Sequence, residues 1–255
     1  MNETPREKSL MTTEQFVMMS LAIGAVAFLY SSVGHAGASG YIAVLSLAGL
    51  APNVIKPTAL ALNILVASVA SWQFYRGGHF SWKLFWPFAV LAVPMAFVGG
   101  YFNLPAAAFK FIVGWILLFS AIRFMIYPSE DAAIQEPSTG VALPVGAGLG
   151  LLAGLTGTGG GIFLTPLLLA MRWAKTKSAA AVSAVFILLN SIAGLLGNIS
   201  NTRQLPAFAI PFALIALFAG LAGSYLGSTR FPQTTIKRLL ALVLVIAGLK
   251  LLLTP

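Results

Sequence analysis

The chain has no cysteine, only two histidines and only six carboxylates in 255 residues. Without cysteine there are no disulfides, no thiolate chemistry and no Cys-ligated metal. Glu3, Glu7 and Glu14 sit near the N-terminus, and Glu130, Asp131 and Glu136 share one short segment. No Asp or Glu occurs between residues 15 and 129 or after 136. Metal hydrolysis needs clustered His and carboxylates, and a Ser-His-acid set needs its acid, so neither chemistry is supported. A phosphate-binding G-x-x-x-x-G-K-[ST] loop is also missing, which excludes ATP drive within this chain. Charged residues make up 8% of the chain, about a third of what soluble domains carry. That scarcity argues against a soluble enzyme, a nucleic-acid-binding domain and a disordered chain.

What is abundant is apolar residues, at 58%. They fall in runs of roughly 20, long enough to cross a bilayer. The expected fold is all-α: a polytopic helical membrane protein, multi-pass in the inner (plasma) membrane. The net charge of +9 comes from basic residues between the apolar runs, where they contact anionic lipid and set orientation. The stretch from Phe16 lacks a small-x-small cleavage site and reads as a first span, not a signal peptide.

The polar segment from Tyr127 to Gly140 divides the chain almost evenly. The expected organisation is a polar tail at 1–15, a first transmembrane repeat at 16–127, an acidic connecting loop at 128–140 and a second repeat at 141–255. Several landmarks recur across that loop. Pro105, Lys110 and Arg123 match Pro232, Lys237 and Lys250 at a spacing of 127, which Asn63 and Asn190 share. Gly99, Gly100 and Tyr101 match Gly223, Ser224 and Tyr225 at 124. Gly34, Gly37 and Gly40 match Gly154, Gly157 and Gly160 at 120. Each half is expected to hold about five helical segments: 16–33, 39–50, 58–75, 82–101 and 106–126, then 141–155, 160–172, 178–198, 207–227 and 234–253. The second segment of each half has about 12 residues and reaches only some 18 Å. If these short segments cross, the repeats are inverted; if they re-enter, the repeats run parallel. The inverted arrangement is the expectation.

The strongest local signal is the run from Gly154 to Leu167, Gly-Leu-Thr-Gly-Thr-Gly-Gly-Gly-Ile-Phe-Leu-Thr-Pro-Leu. So many glycines cannot continue a stable helix, and broken backbone at membrane depth is tolerated where it is buried or lines a cavity. It feeds a short helix whose free N–H groups and positive end suit an anion. Candidate binding residues are Thr156, Gly157, Thr158, Gly159, Gly160 and Gly161. The competing reading is that the glycines only permit close helix packing. The first half has a counterpart at His35, Gly37, Ser39 and Gly40, again before a short helix. His35 is a candidate proton carrier, or a neutral ring bonded to backbone carbonyls. Asn63 and Asn190 either bond neighbouring helices or line the pathway. Lys56, Lys175 and Lys177 either draw anions toward the entrance or snorkel to headgroups. Gly146, Gly150 and Gly154, spaced by four, read as a helix contact. The cluster from Trp72 to Trp86 reads as an interfacial belt.

A Gly-rich loop, short helix and Pro in a duplicated chain of this size resembles the sulfite exporter TauE/SafE family, also called the toluene-sulfonate uptake permease family. Gly157 to Leu167 looks like its Gly-x-Gly-Gly-Gly-x-x-x-x-Pro-x-Leu signature. The first half departs from it, with Gly37-Ala-Ser-Gly40 in place of the glycine triplet. The resemblance spans essentially residues 16 to 254. It implies a secondary transporter, not an enzyme, for a small anion such as sulfite, a sulfonate or sulfoacetate. The alternatives are an anion channel or a non-transporting assembly subunit. The expected partners are that anion, protons as coupling ion, membrane lipids and a second copy of the chain in a homodimer. No nucleic acid, cofactor or metal is expected.

Overall fold

The computed structural model describes residues 12–102 and 137–232 throughout, and separate positions within 105–135 and 235–253. All regular structure among the described residues is helical. The first four helices are α1 (Thr13–Ser32), α2 (Ala38–Leu47), α3 (Pro52–Arg76) and α4 (Trp82–Tyr101). The next four are α5 (Thr139–Thr156), α6 (Gly161–Ala170), α7 (Thr176–Thr202) and α8 (Ile210–Tyr225). A 3₁₀ turn at Ala207–Ala209 leads into α8, and a π-helical turn at Leu226–Arg230 extends it. Long, short, long, long is thus the order on both sides of the acidic segment. Helices expected at 106–126 and 234–253, and most of the acidic loop, fall largely outside the described residues.

Local chemistry sets the helix starts. Thr12 and Gln15 form a capping box before α1. Ser81 accepts from the Leu84 amide at the start of α4. Pro52 occupies the first turn of α3, where no N–H is needed, so this helix starts six residues before the expected Thr58. Among the described residues, six helices, counting 207–230 as one, are long and apolar enough to span a bilayer. The membrane protein expected from composition is what the chain folds into. With ten residues each, α2 and α6 are too short to span.

α3 and α7 pack on each other at the centre. α4 packs on α5 and α7, and α8 packs on α1 and α3. The central pair is antiparallel, since Asn63 bonds Ser191 while Leu60 lies beside Gly194. One end of the bundle gathers Lys56, the end of α4 and Asn201, whose amide donates to the Tyr101 carbonyl at 2.8 Å. The other end gathers His79, Lys177 and Ser228.

Small residues make these contacts close. Gly146, Gly150 and Gly154 on α5 face the carbonyls of Phe88, Ala92 and Ala96 on α4, with no room for a Cβ at any of the three. Gly223 on α8 and Gly227 in the π-helical turn after it meet the carbonyls of Phe28 and Ser32 on α1 in the same way. Outside, Leu21, Val90, Phe97, Leu214 and Phe218 are exposed, as lipid-facing residues should be. The expected belt divides: Trp72, Tyr75, Trp82 and Trp86 are exposed, whereas Phe74 and Phe85 are buried in the bundle.

Candidate functional site

Each short helix is entered through a break with left-handed glycines three residues apart, and the second break adds a third at Gly159, with φ of 74°. Gly34 and Gly37 have φ of 77° and 101°, and Gly157 and Gly160 have φ of 74° and 83°. Gly37 and Gly160 are the N-caps of α2 and α6. Both pairs stand 123 positions apart, one helical turn from the 120 suggested by matching glycines along the sequence. The reason is that Gly154 and Gly40 serve packing instead: Gly154 lies on the Ala96 carbonyl, and Gly40 lies on Val26 and Tyr30. In the corrected register His35 stands where the second half has Thr158.

The two breaks meet. Tyr30, His35, Gly37, Ser39, Thr158, Ile162 and Ile187 line a single cavity of about 10 Å³. That volume is at the threshold for one water molecule. The walls are buried and tied together. His35 Nε2 is 3.0 Å from the Gly161 carbonyl and 3.1 Å from Thr165 Oγ1, linking the first break to the start of α6. A carbonyl only accepts, so Nε2 carries the proton of the neutral ring. Thr165 in turn donates to Ser183 Oγ at 2.6 Å. The Tyr30 and Ser39 hydroxyls are 2.8 Å apart. Thr156 donates to the Leu152 carbonyl at 2.6 Å, and its oxygen is 2.8 Å from the Thr158 hydroxyl. Asn63 Nδ2 donates to the Thr158 carbonyl and to Ser191 Oγ, both at 3.3 Å.

Gly159 fits between Asn63, Ile187 and Ser191, where a Cβ would come within 2.7 Å of the serine oxygen. Gly160 packs on Phe186 and Ala153, and Gly161 on Ile187. The expected residues are therefore not equivalent. His35, Gly37, Ser39 and Thr158 face the cavity, Thr156, Asn63 and Gly161 hold its walls by hydrogen bonds, Gly157, Gly159 and Gly160 shape the backbone, and Gly40 packs on Val26 and Tyr30. Asn190 is buried in α7 with both amide atoms unpartnered among the described residues. His35 Nδ1 and Asn63 Oδ1 are likewise buried without a partner there. α3 and α7 begin 124 positions apart, whereas Asn63 and Asn190 are 127 apart.

Tyr30 was missed from the sequence. Its position five residues before His35, on the last turn of α1, was the available signal. Lys56 was read as an entrance or interfacial lysine, yet it is 8% exposed and its Nζ donates to Gly99, Gly100 and Phe102 carbonyls. Lys177 donates to the Ser228 carbonyl at 3.1 Å. His79, in the α3–α4 loop, contacts that same carbonyl at 3.3 Å.

Residues 19–251 match the sulfite exporter TauE/SafE family. The chain belongs to that family. Its curated relatives are described as probable membrane transporter proteins. One from Sinorhizobium fredii is 39% identical over 240 residues, covering 92% of this chain and 97% of its own length. One from Haemophilus influenzae is 24% identical over 263 residues, covering 93% and 98%. One from Methanocaldococcus jannaschii is 25% identical over 208 residues, covering 77% and 78%. No solved structure matches the chain. In this TauE/SafE membrane transporter the first break brings His35 to the cavity, where the second brings Thr158.

Proposed function

We propose that this transporter moves a small anion of the sulfite, sulfonate or sulfoacetate class across the inner membrane by alternating access. The observation that carries the reading is the convergence of both glycine breaks, with hydroxyls and the unpartnered buried His35 Nδ1, on one cavity at the interface of the two halves. The antiparallel central helices, and the matching pairings of α4 with α5 and of α8 with α1, support an inverted duplication. In this closed arrangement the cavity accommodates about a water, so an oxyanion enters when the halves part. Hydroxyls of Ser39 and Thr158 and the N–H groups of the second break then serve as donors, while Thr156, bonded to the Leu152 carbonyl, holds Thr158 in place.

His35 couples a proton to the anion. Its Nε2 proton is held by the Gly161 carbonyl, so uptake occurs at Nδ1. Uptake there makes the ring a cation and turns Nδ1 from acceptor to donor. Tyr30, whose ring centroid is 6.4 Å away, is the other titratable group facing it among the described residues. The basic end near Lys83, Lys175 and Lys177 faces the cytoplasm in this reading.

The test is flux of radiolabelled sulfite and sulfoacetate into proteoliposomes. Thr158→Val should lower flux about tenfold or more through loss of a donor at the anion. His35→Gln should retain anion binding but lose acceleration by a pH gradient. Unchanged flux in Thr158→Val removes the hydroxyl from the site, and a persisting pH-gradient response assigns His35 to structure.

A further inference from the structure

Lys56 lies on the second turn of α3, almost fully buried. Its Nζ donates to the carbonyls of Phe102 at 2.8 Å, Gly100 at 3.0 Å and Gly99 at 3.4 Å. Three acceptors match the three N–H groups of an ammonium, whereas a neutral amine has two. These carbonyls also form the negative end of α4, which favours a cation. The side chain is therefore held charged at the inner edge of the bundle.

Neither half supplies a carboxylate to neutralise it, because no Asp or Glu occurs between residues 15 and 129 or after 136. The lysine stem lies against the second break: a Cβ at Gly157 would be 3.0 Å from Lys56 Cγ. Gly157 stands between the two threonines whose hydroxyls bond each other. At the first break the wall against Gly34 is Ala180, which carries no charge.

We infer that Lys56 is the fixed positive charge that selects for anions at the second glycine break. This rests on the anion reading above. Lys56 is a positioning residue: it does not touch the anion but acts through the field at the loop, while its carbonyl partners keep it from pairing with the anion directly. A charge held several ångströms away in a medium of intermediate dielectric changes affinity by about tenfold for a monoanion and more for a dianion. A residue that merely braced α3 against α4 would show no dependence on the charge of the anion.

The experiment measures binding of methanesulfonate, a monoanion, and sulfoacetate, a dianion, by thermal shift of the purified full chain. Lys56→Gln should raise the Kd for methanesulfonate about tenfold and that for sulfoacetate by a clearly larger factor. Lys56→Arg should stay within about threefold of wild type, and Lys177→Gln, whose charge lies at the far end, should match wild type. Equal losses for both anions, no loss, or an equal loss in Lys177→Gln overturns the inference and leaves the transport reading standing. If the wild type neither binds nor carries either anion, both readings fail. Should Lys56→Gln not fold, Lys56→Arg decides: near-wild-type binding supports the charge, and a tenfold loss with the charge kept overturns it.

Discussion

The two glycine breaks share a pair of backbone hinges and differ in almost everything else. Both set a pair of left-handed glycines three residues apart and both cap a ten-residue helix, but the second adds a third left-handed glycine, Gly159. The first then carries His35, Ala36 and Ser39, while the second carries Thr158, Gly159 and Gly161. The extra glycines of the second answer to its neighbours, since Asn63, Ser191 and Ile187 press against it where a Cβ would go. The first break meets rigid backbone at Ala180, whereas the second meets the flexible stem of Lys56. The difference lies in what each break brings to its surroundings: the first places an imidazole on the cavity, and the second places a threonine hydroxyl there with a lysine stem against its backbone.

The largest expected effect breaks this comparison at its walls. Gly34→Ala forces a left-handed alanine into the backbone of Ala180 and should cost about 3 kcal/mol or more. Gly157→Ala displaces only a lysine stem and should cost about 1–2 kcal/mol. Size-exclusion chromatography and melting temperature read both, and equal losses would show that the two walls are equally rigid.

A smaller effect separates the two asparagines. Asn63→Leu removes both bonds that tie Thr158 and Ser191 together and should cost about 1 kcal/mol. Asn190→Leu removes two unpartnered buried polar atoms and should leave the melting temperature unchanged or raise it. Retained flux in Asn190→Leu would take that residue out of the transport path. The smallest change is Tyr30→Phe, which removes one hydrogen bond to Ser39 and should lower stability by no more than about 1 kcal/mol. A larger loss would show that the hydroxyl pair holds the first break in shape.

Much of this was legible before any coordinates. Apolar runs located the described helices to within a few residues, apart from the early start of α3, because spanning a bilayer demands length and hydrophobicity that nothing else hides. The clustered glycines marked both breaks. The register between the halves was not legible, because a glycine that adopts positive φ and one that admits a neighbouring carbonyl look alike in sequence. Matching Gly34, Gly37 and Gly40 to Gly154, Gly157 and Gly160 therefore mixed the two kinds. Lys56 was misjudged for a related reason: a lysine before a proline near a helix start resembles any interfacial lysine until α4 brings three carbonyls to it.

The scarcity of carboxylates, the apolar spans and the paired glycine breaks were determined by the sequence alone, because each follows from residue type and spacing along one chain. Which glycine bends and which packs, that His35 reaches the start of α6, and that Lys56 lies charged beside Gly157 were decided only by the tertiary structure. The latter two join residues of different halves, His35 with Gly161 and Lys56 with Gly157, and the folding of the halves against each other is what brings their atoms together.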